Sequence, residues 1–336
     1  MNHKALLLLL SLALITVSTS AQATPNSGDP EHLVIPLVLN AVRDGSVPTL
    51  KAGDIGVTRK GVAQSIEYVR GPEEPMNLLI IIDTRPYDAK VSSDLRDAAM
   101  RMIDRLGKND QASVISFDKK VRVLSEWSSE KGKLRRAVNR AEPIVIPMVE
   151  GTTMISHDVS DLLGPNDGLA KALQDHMANA KGRKAIVLVT HANGHGKVSD
   201  RTVQNALAAA DVVVYPVFFP SPTLYHVLMM HGMGDAAKEY GTKNSITMDQ
   251  LIKLPPVNYL DSLATATGGR LFAADRTDFD AAFKQISDEL SRQFVIGLKS
   301  EPSATRQTGD ISMTLNRTDI SARTKSSILI TQPAAN

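Results

Sequence analysis

The chain has 336 residues, 43% of them hydrophobic and 22% charged, which is typical of one large or two ordinary globular domains. The formal net charge is only +2 and no long run of one sign occurs, so neither nucleic acid nor an anionic membrane surface is indicated as a partner. With no cysteine, the chain cannot form disulfides, thiolate metal sites, a cysteine nucleophile or a lipidated amino terminus.

Residues 1–23 have the pattern of a signal peptide. Lys4 provides the positive charge, Ala5–Val17 is apolar, and Ala21-Gln22-Ala23 has the small-x-small form of a cleavage site. The apolar run is short for a membrane span, so an uncleaved anchor is the less favoured alternative. We expect export through the Sec route to the periplasm or the cell exterior, not as a lipoprotein, and no transmembrane segment in the mature chain.

Two stretches at the ends of the chain predict β structure. Residues 31–72 contain short apolar-polar alternations separated by turn signals, and Pro36 favours an edge strand. Residues 299–331 alternate in the same way. Each stretch is too small to be a domain by itself, so we expect the two to pair in a small β subdomain.

Between them, residues 76–298 alternate between strand and helix patterns. Leu78–Ile82 is an unbroken apolar run, as in a strand buried on both faces of a parallel sheet, and it ends at Asp83. Lys184–Thr190 and Val212–Phe219 are further strands of this kind. The pattern predicts a doubly wound, mostly parallel α/β sheet with an insertion at about 220–256.

Two further features concern surfaces of this predicted domain. Open α/β sheets bind ligands at the carboxyl ends of their strands, so the edge around Asp83 is the first candidate site. Lys131–Ala141, which follows two predicted strands joined by an Asp-Lys-Lys turn, is a basic helix.

Several motifs together resemble a von Willebrand factor type A (VWFA) domain, and in particular the acidobacterial VWFA-related proteins, in which a β segment precedes the domain. The resemblance covers roughly residues 33–325 and implies a Rossmann-like fold with a protein-binding role. The motifs are the strand ending in Asp83, R-K-A-I-V-L-V-T at Arg183–Thr190, L-A-T-A-T-G-G-R-L-F at Leu263–Phe272, R-Q-F-V-I-G-L at Arg292–Leu298 and V-T-R-K-G-V-A-Q-S-I-E at Val57–Glu67.

In that family a metal-ion-dependent adhesion site uses D-x-S-x-S after the first strand, a threonine from a loop, and an aspartate after the fourth strand. Here Asp83 matches the first aspartate, but Arg85 and Tyr87 stand at the serine positions. His191 stands where the second aspartate is expected. The resemblance therefore implies a degenerate site that has lost most of its oxygen ligands for Mg²⁺.

The threonine of this degenerate site is expected from Thr152 or Thr153, and an alternative alignment places Asn166 or Asp167 there. The leading hypothesis is a non-catalytic, metal-independent protein-binding module. The binding rim would consist of Asp83, Arg85, Tyr87, Thr152, Thr153 and His191. Arg85 would pair with Asp83 in place of the cation or contact the partner.

Two alternatives from other classes stay open. One is an adhesion module in which Mg²⁺ or Mn²⁺ binds to Asp83 with Thr152 or Thr153. The other is an extracytoplasmic hydrolase or metal oxidoreductase, although neither H-E-x-x-H nor G-x-S-x-G occurs. A small-molecule ligand is not indicated.

Histidines and methionines suggest weaker metal sites. His191 and His195 could share Zn²⁺ or Cu²⁺, but the glycines of this loop disfavour the helix that this spacing requires. Gly194-His195-Gly196 lacks the third glycine of a dinucleotide loop. A second group in the insertion could hold Cu(I), although apolar packing is the favoured reading; it consists of His226, Met229, Met230, His231 and Met233.

Overall fold

The computed structural model describes residues 32–40, 48–85, 89–143, 161–191, 194–219, 232–235, 238, 247–274, 279–299 and 311–331. The strands are β1 (His32–Leu39), β2 (Ile55–Arg59), β3 (Val62–Ala63), β4 (Ile66–Arg70), β5 (Met76–Asp83), β6 (Gln111–Phe117), β7 (Val121–Ser128), β8 (Arg183–Thr190), β9 (Val213–Phe218), β10 (Phe272–Ala273), β11 (Gln293–Lys299), β12 (Ile311–Leu315), β13 (Ala322–Arg323) and β14 (Leu329–Thr331). The α-helices are α1 (Ala89–Asp104), α2 (Lys131–Asn139), α3 (Pro165–Lys171), α4 (Asp200–Ala209), α5 (Met248–Leu251), α6 (Pro255–Thr267) and α7 (Phe279–Leu290), with a π-helical turn at Ala172–Met177 after α3.

The predicted signal peptide and most of the 220–256 insertion lie outside the described residues. Within the described ranges, no helix is both long and apolar enough to cross a membrane.

The central sheet has six strands in the order β10-β9-β8-β5-β6-β7, all parallel except β7, which runs antiparallel to β6. Leu78–Ile82 of β5 is fully buried because helices cover both faces of the sheet. Helices α1, α2 and α7 pack on one face, and α3, α4 and α6 on the other. The prediction of a doubly wound α/β sheet is confirmed.

The strand order reverses between β5 and β8. In sheets of this type the carboxyl ends of the strands at the reversal flank a crevice where ligands bind. Asp83 is the last residue of β5, and Thr190 is the last residue of β8. The topology therefore places the carboxyl ends of these two strands side by side.

The two ends of the chain pair, as predicted, into two four-stranded sheets with the orders β13-β1-β11-β4 and β14-β12-β2-β3. One apolar core lies between them. The position of β11 corrects the predicted domain boundary. The sequence pattern assigns residues 76–298 to the α/β domain, but β11 lies in the sheet with β1 and β4. Phe294, Ile296 and Leu298 occupy every second position of β11, and this period of two directs all three into the core between the two four-stranded sheets.

This β subdomain docks on the amino ends of the parallel strands. At the start of β8, the Arg183 guanidinium donates to the carbonyls of Pro72, Glu74 and Leu290. The buried Lys325 ammonium donates to the carbonyls of Ala208 and Ala210 at the end of α4. A cavity of about 200 Å³ lies at this edge as well, lined in part by Met76, Arg105 and Arg183. The carboxyl edge around Asp83 is at the far end of the strands.

Candidate functional site

Four side chains meet at the carboxyl edge of the sheet, where the strand order reverses. Asp83 ends β5, Arg85 follows it by two residues, and Thr190 and His191 lie at the end of β8. The exposed fractions are 0% for Asp83, 4% for Arg85, 0% for Thr190 and 8% for His191. The chain thus forms a buried polar cluster at the position where the sequence predicts the degenerate adhesion site.

The Arg85 guanidinium binds the Asp83 carboxylate with two hydrogen bonds. Nε donates to Oδ1 at 2.9 Å, and Nη2 donates to Oδ2 at 2.6 Å. The backbone N–H of Arg85 also donates to Oδ1 at 3.1 Å. The guanidinium carbon lies 5.5 Å from the centre of the Phe117 ring, within the range of a cation–π contact. Of the two roles considered for Arg85, pairing with Asp83 agrees with these hydrogen bonds.

Strand β8 completes the surroundings of the carboxylate. The Thr190 hydroxyl donates to Oδ2 at 2.7 Å, and His191 Nε2 lies 3.7 Å from the same oxygen. The His191 ring also packs edge-on against Phe219 at 5.7 Å between centroids. Both oxygens of Asp83 are therefore occupied by donors of the protein itself.

These contacts set the protonation of the pair. Burial by itself would raise the pKa of Asp83, but the charges of Arg85 and His191 and the hydrogen bonds from Arg85 and Thr190 outweigh it and lower the pKa from 3.8 to about 2. Burial lowers the pKa of His191, and the Asp83 carboxylate opposes that shift only in part. At neutral pH the cluster therefore contains an ionised Asp83 beside a guanidinium and a neutral imidazole.

The depressed pKa of Asp83 predicts a pH dependence of stability. Because the folded-state pKa lies below the unfolded value, ionised Asp83 stabilises the fold above pH 3.8, and this contribution is lost as pH falls from 3.8 through about 2. We expect the difference in unfolding free energy between wild type and Asp83→Asn to shrink by about 2 kcal/mol between pH 5 and pH 2. Urea titrations at the two pH values measure it. A difference that stays constant would contradict this role of the pair.

Next to the cluster, Thr84 joins β5 to the β6–β7 turn, a contact that the sequence did not indicate. Its hydroxyl lies 3.0 Å from Asp118 Oδ2. The buried Asp118 carboxylate also accepts hydrogen bonds from the backbone N–H groups of Lys119 and Lys120 and from the Arg122 guanidinium. These bonds close the turn around Asp118. The only signal in the sequence is a turn-forming Asp directly after an apolar strand.

Asp167 and Asn166, the alternative candidates for the adhesion-site threonine, form another network. Asp167 Oδ2 accepts N–H groups from Gly164 at 2.8 Å and Lys197 at 3.0 Å, and Oδ1 accepts the N–H of Val198 at 3.1 Å. Asn166 bonds to the Asp200 carboxylate and accepts the Tyr259 hydroxyl. Both side chains thus tie the loop after β8 to the start of α3.

The backbone in this region is packed too closely for larger residues. A Cβ on Gly164 would lie 2.4 Å from the backbone of Gly196, and Gly196 itself has a φ of +114°. That φ favours glycine because it has no Cβ. Two glycines therefore allow the loop after β8 to lie against the amino end of α3.

His195 lies in this second network. Its ring stacks on Tyr259 at 4.2 Å between centroids, and Nδ1 is 2.9 Å from each oxygen of Asp200. His191 faces Asp83 instead, so the two histidines have different carboxylate partners. Among the described residues, no three His, Asp or Glu side chains are grouped as a metal ion would require.

Several predicted site residues cannot be placed. Tyr87, Thr152 and Thr153 lie outside the described residues. The same is true of most of the proposed Cu(I) group, namely His226, Met229, Met230 and His231. Met233, its last member, packs against the apolar core on the α3 face of the sheet.

Comparison with known proteins gives distant similarities. No protein-family model matches the chain. An uncharacterized protein of Synechocystis is 28% identical over 138 residues, which are 41% of this chain and 30% of that protein. The chain thus spans less than a third of this curated relative.

Three solved structures illustrate the likeness in fold. Proximal thread matrix protein 1 from the mussel byssus, solved with zinc in its MIDAS motif, is 12% identical; the match covers 70% of this chain and 50% of that one, with a TM-score of 0.45. BatB from Bacteroides thetaiotaomicron is 14% identical over 65% of this chain and 98% of its own, with a TM-score of 0.43. A von Willebrand factor type A protein from Catenulispora acidiphila is 10% identical over 84% of this chain and 68% of its own, with a TM-score of 0.42.

The six-stranded doubly wound sheet is the architecture that the motifs at Asp83, Arg183–Thr190 and Leu263–Phe272 imply. The chain is therefore similar to von Willebrand factor type A domains in its motifs and in its fold.

Proposed function

We propose that this chain is an exported, non-catalytic protein-binding module of von Willebrand factor type A kind, which binds its partner at the carboxyl edge of the six-stranded sheet without a divalent cation. The observation that carries the proposal is the buried, doubly hydrogen-bonded pair of Arg85 and Asp83. The guanidinium would replace the cation as the positive charge that holds β5 and its following loop in place.

The residues of the cluster do not suit Mg²⁺ or Mn²⁺. These hard cations take oxygen ligands in near-octahedral geometry, and a carboxylate usually supplies the strongest of them. A cation at Asp83 would have to displace the Arg85 guanidinium, and a buried arginine without its partner is costly. His191 at the position of the second carboxylate offers a neutral imidazole nitrogen, which suits these cations less well than a charged carboxylate oxygen.

A catalytic role is disfavoured by the same contacts. A general base needs a lone pair that can reach a substrate proton. Both oxygens of Asp83 accept protein hydrogen bonds, and its pKa of about 2 makes it a weak base. We therefore assign to Arg85, Asp83 and His191 a structural role, in which they hold the rim in place from beneath. Tyr87, Thr152 and Thr153 retain their proposed place in the rim.

Thermal melts test metal independence. We expect the midpoint of the chain from Thr24 to Asn336 to be the same in EDTA and in millimolar Mg²⁺, Mn²⁺ or Zn²⁺. The matched variant is Arg85→Ser with His191→Asp, which restores two oxygen ligands beside Asp83. Its midpoint should rise with Mg²⁺ or Mn²⁺, because binding at a hundred times the dissociation constant stabilises a fold by about 2.7 kcal/mol.

A rise in the wild-type midpoint that Asp83→Ala abolishes would instead support the Mg²⁺ or Mn²⁺ adhesion module. The binding role needs a separate measurement. Immobilised wild type and a Tyr87→Ala/Thr152→Ala/Thr153→Ala rim variant are compared for capture of cell-envelope proteins. A protein retained by wild type and lost with the variant would support the rim, and equal retention by both would contradict it.

A further inference from the structure

The basic helix that the sequence singled out presents a row of cations to solvent. Lys133, Arg136 and Arg140 are spaced by three and four residues, so they lie on one face of α2 and its end. All three are exposed. The opposite face of the helix is apolar and packs into the core through Leu134, Ala137 and Val138.

Strand β7, at the edge of the sheet, extends this row. Arg140 donates to the Leu124 carbonyl of β7, which holds the end of the helix against the strand. In the register of the two strands, Arg122 lies opposite Ser116 of β6. Ser116 is two residues from Val114, which belongs to the core beneath α2, so Ser116 and Arg122 both face the side of the sheet that α2 covers. Lys120 follows at the exposed β6–β7 turn. We call Lys120, Arg122, Lys133, Arg136 and Arg140 the basic stripe.

The stripe keeps an excess of positive charge. Arg122 is paired with Asp118, and Arg136 lies 3.3 Å from Glu130. Lys120, Lys133 and Arg140 form no ion pair with any carboxylate of the described residues. A chain with a formal net charge of only +2 thus concentrates five cations along one edge of its α/β domain.

We infer that the basic stripe is a second binding surface, separate from the rim at Asp83, and that its partner is an acidic segment of a protein. One carboxylate interrupts the surface, because the side chain of Glu130 is 66% exposed beside it. A uniformly anionic surface, such as a lipid bilayer or a polyphosphate, would place negative charge against Glu130. A polypeptide can place aspartate or glutamate opposite each cation and a neutral residue opposite Glu130.

The test uses the chain from Thr24 to Asn336 and a fluorescent peptide of glutamates separated by serines, with binding followed by anisotropy. The stripe variant is Lys133→Glu/Arg136→Glu/Arg140→Glu. The matched control, Lys51→Glu/Lys253→Glu/Lys284→Glu, reverses three exposed lysines elsewhere and has the same net charge. We expect the stripe variant to bind about tenfold more weakly than wild type and the control variant to stay within about twofold. Wild-type binding should weaken with added salt, since the contacts are exposed.

Equal losses in the two variants would show that only net charge matters and would overturn the proposal, as would failure of the wild type to bind the peptide. A third arm uses vesicles containing phosphatidylglycerol. Binding to these vesicles that depends on the stripe, without binding to the peptide, would assign the surface to lipid and overturn the choice of a protein partner. Because none of these arms involves Asp83 or a cation, their failure leaves the proposed function of the rim unaffected.

Discussion

Replacing Arg85 with methionine is expected to lower the free energy of unfolding by about 3–5 kcal/mol, the usual cost of removing one member of a buried ion pair. The variant leaves the fully buried Asp83 carboxylate with Thr190 as its remaining strong side-chain donor. An ionised carboxylate in that position pays a large desolvation cost, so the folded state should favour its protonated form. Urea denaturation at pH 7 measures the loss.

Two variants separate the ion pair from a general effect of losing an arginine. Arg136→Met removes a side chain that is 67% exposed and should change stability by no more than about 0.5 kcal/mol. The double variant Asp83→Leu/Arg85→Met removes both charges and should recover most of the loss, since apolar replacements of whole buried pairs are often tolerated. If Arg85→Met costs no more than Arg136→Met, the guanidinium is not the support of this site.

The second large effect is expected at Asp167. Asp167→Ala removes the acceptor of three backbone N–H groups, those of Gly164, Lys197 and Val198, and should cost roughly 3 kcal/mol. The loop after β8 would then lose its bonds to Asp167 and keep the bond from the Asn166 amide to the Val198 carbonyl as a side-chain attachment to α3. Asp167→Asn retains one acceptor oxygen and should cost less.

Hydrogen exchange provides a local readout of the same change. The amides of Lys197 and Val198 should exchange faster in Asp167→Ala, whereas those in β5 should keep their protection relative to the global stability. Asp161→Ala, at an exposed aspartate shortly before α3, is the matched control and should alter neither stability nor exchange. Unchanged protection at Lys197 and Val198 in Asp167→Ala would rule out the carboxylate as the link between the two loops.

Much of the fold could be predicted because it depends on local patterns. The run Leu78–Ile82 has no polar residue, which only a strand covered on both faces tolerates, and the structure buries all of it. The position of Asp83 at the carboxyl edge follows from the same run. Strand β11 was harder to assign, because the alternation of Phe294, Ile296 and Leu298 specifies a buried face but not the sheet that provides it.

The candidate site divides in the same way. The pairing of Arg85 with Asp83 could be predicted, because a single residue separates them and a buried charge needs an opposite one. The hydrogen bond from Thr190 to Asp83 could not be predicted from the sequence, since the two residues are 107 positions apart along the chain. The separation of His191 from His195 was also hidden, because it depends on Asp200, Tyr259 and the glycines that press the loop against α3.

The sequence by itself determined the alternation of strands and helices, the pairing of the two β ends and the place of Asp83 at a strand end, since periodicity and burial act over a few residues. Only the tertiary structure decided which donors surround Asp83, which sheet receives β11, and that Asp167 serves the loop after β8. Each of these depends on strand order and register, which bring together residues far apart in the chain. Local propensity contains no information about such distant contacts.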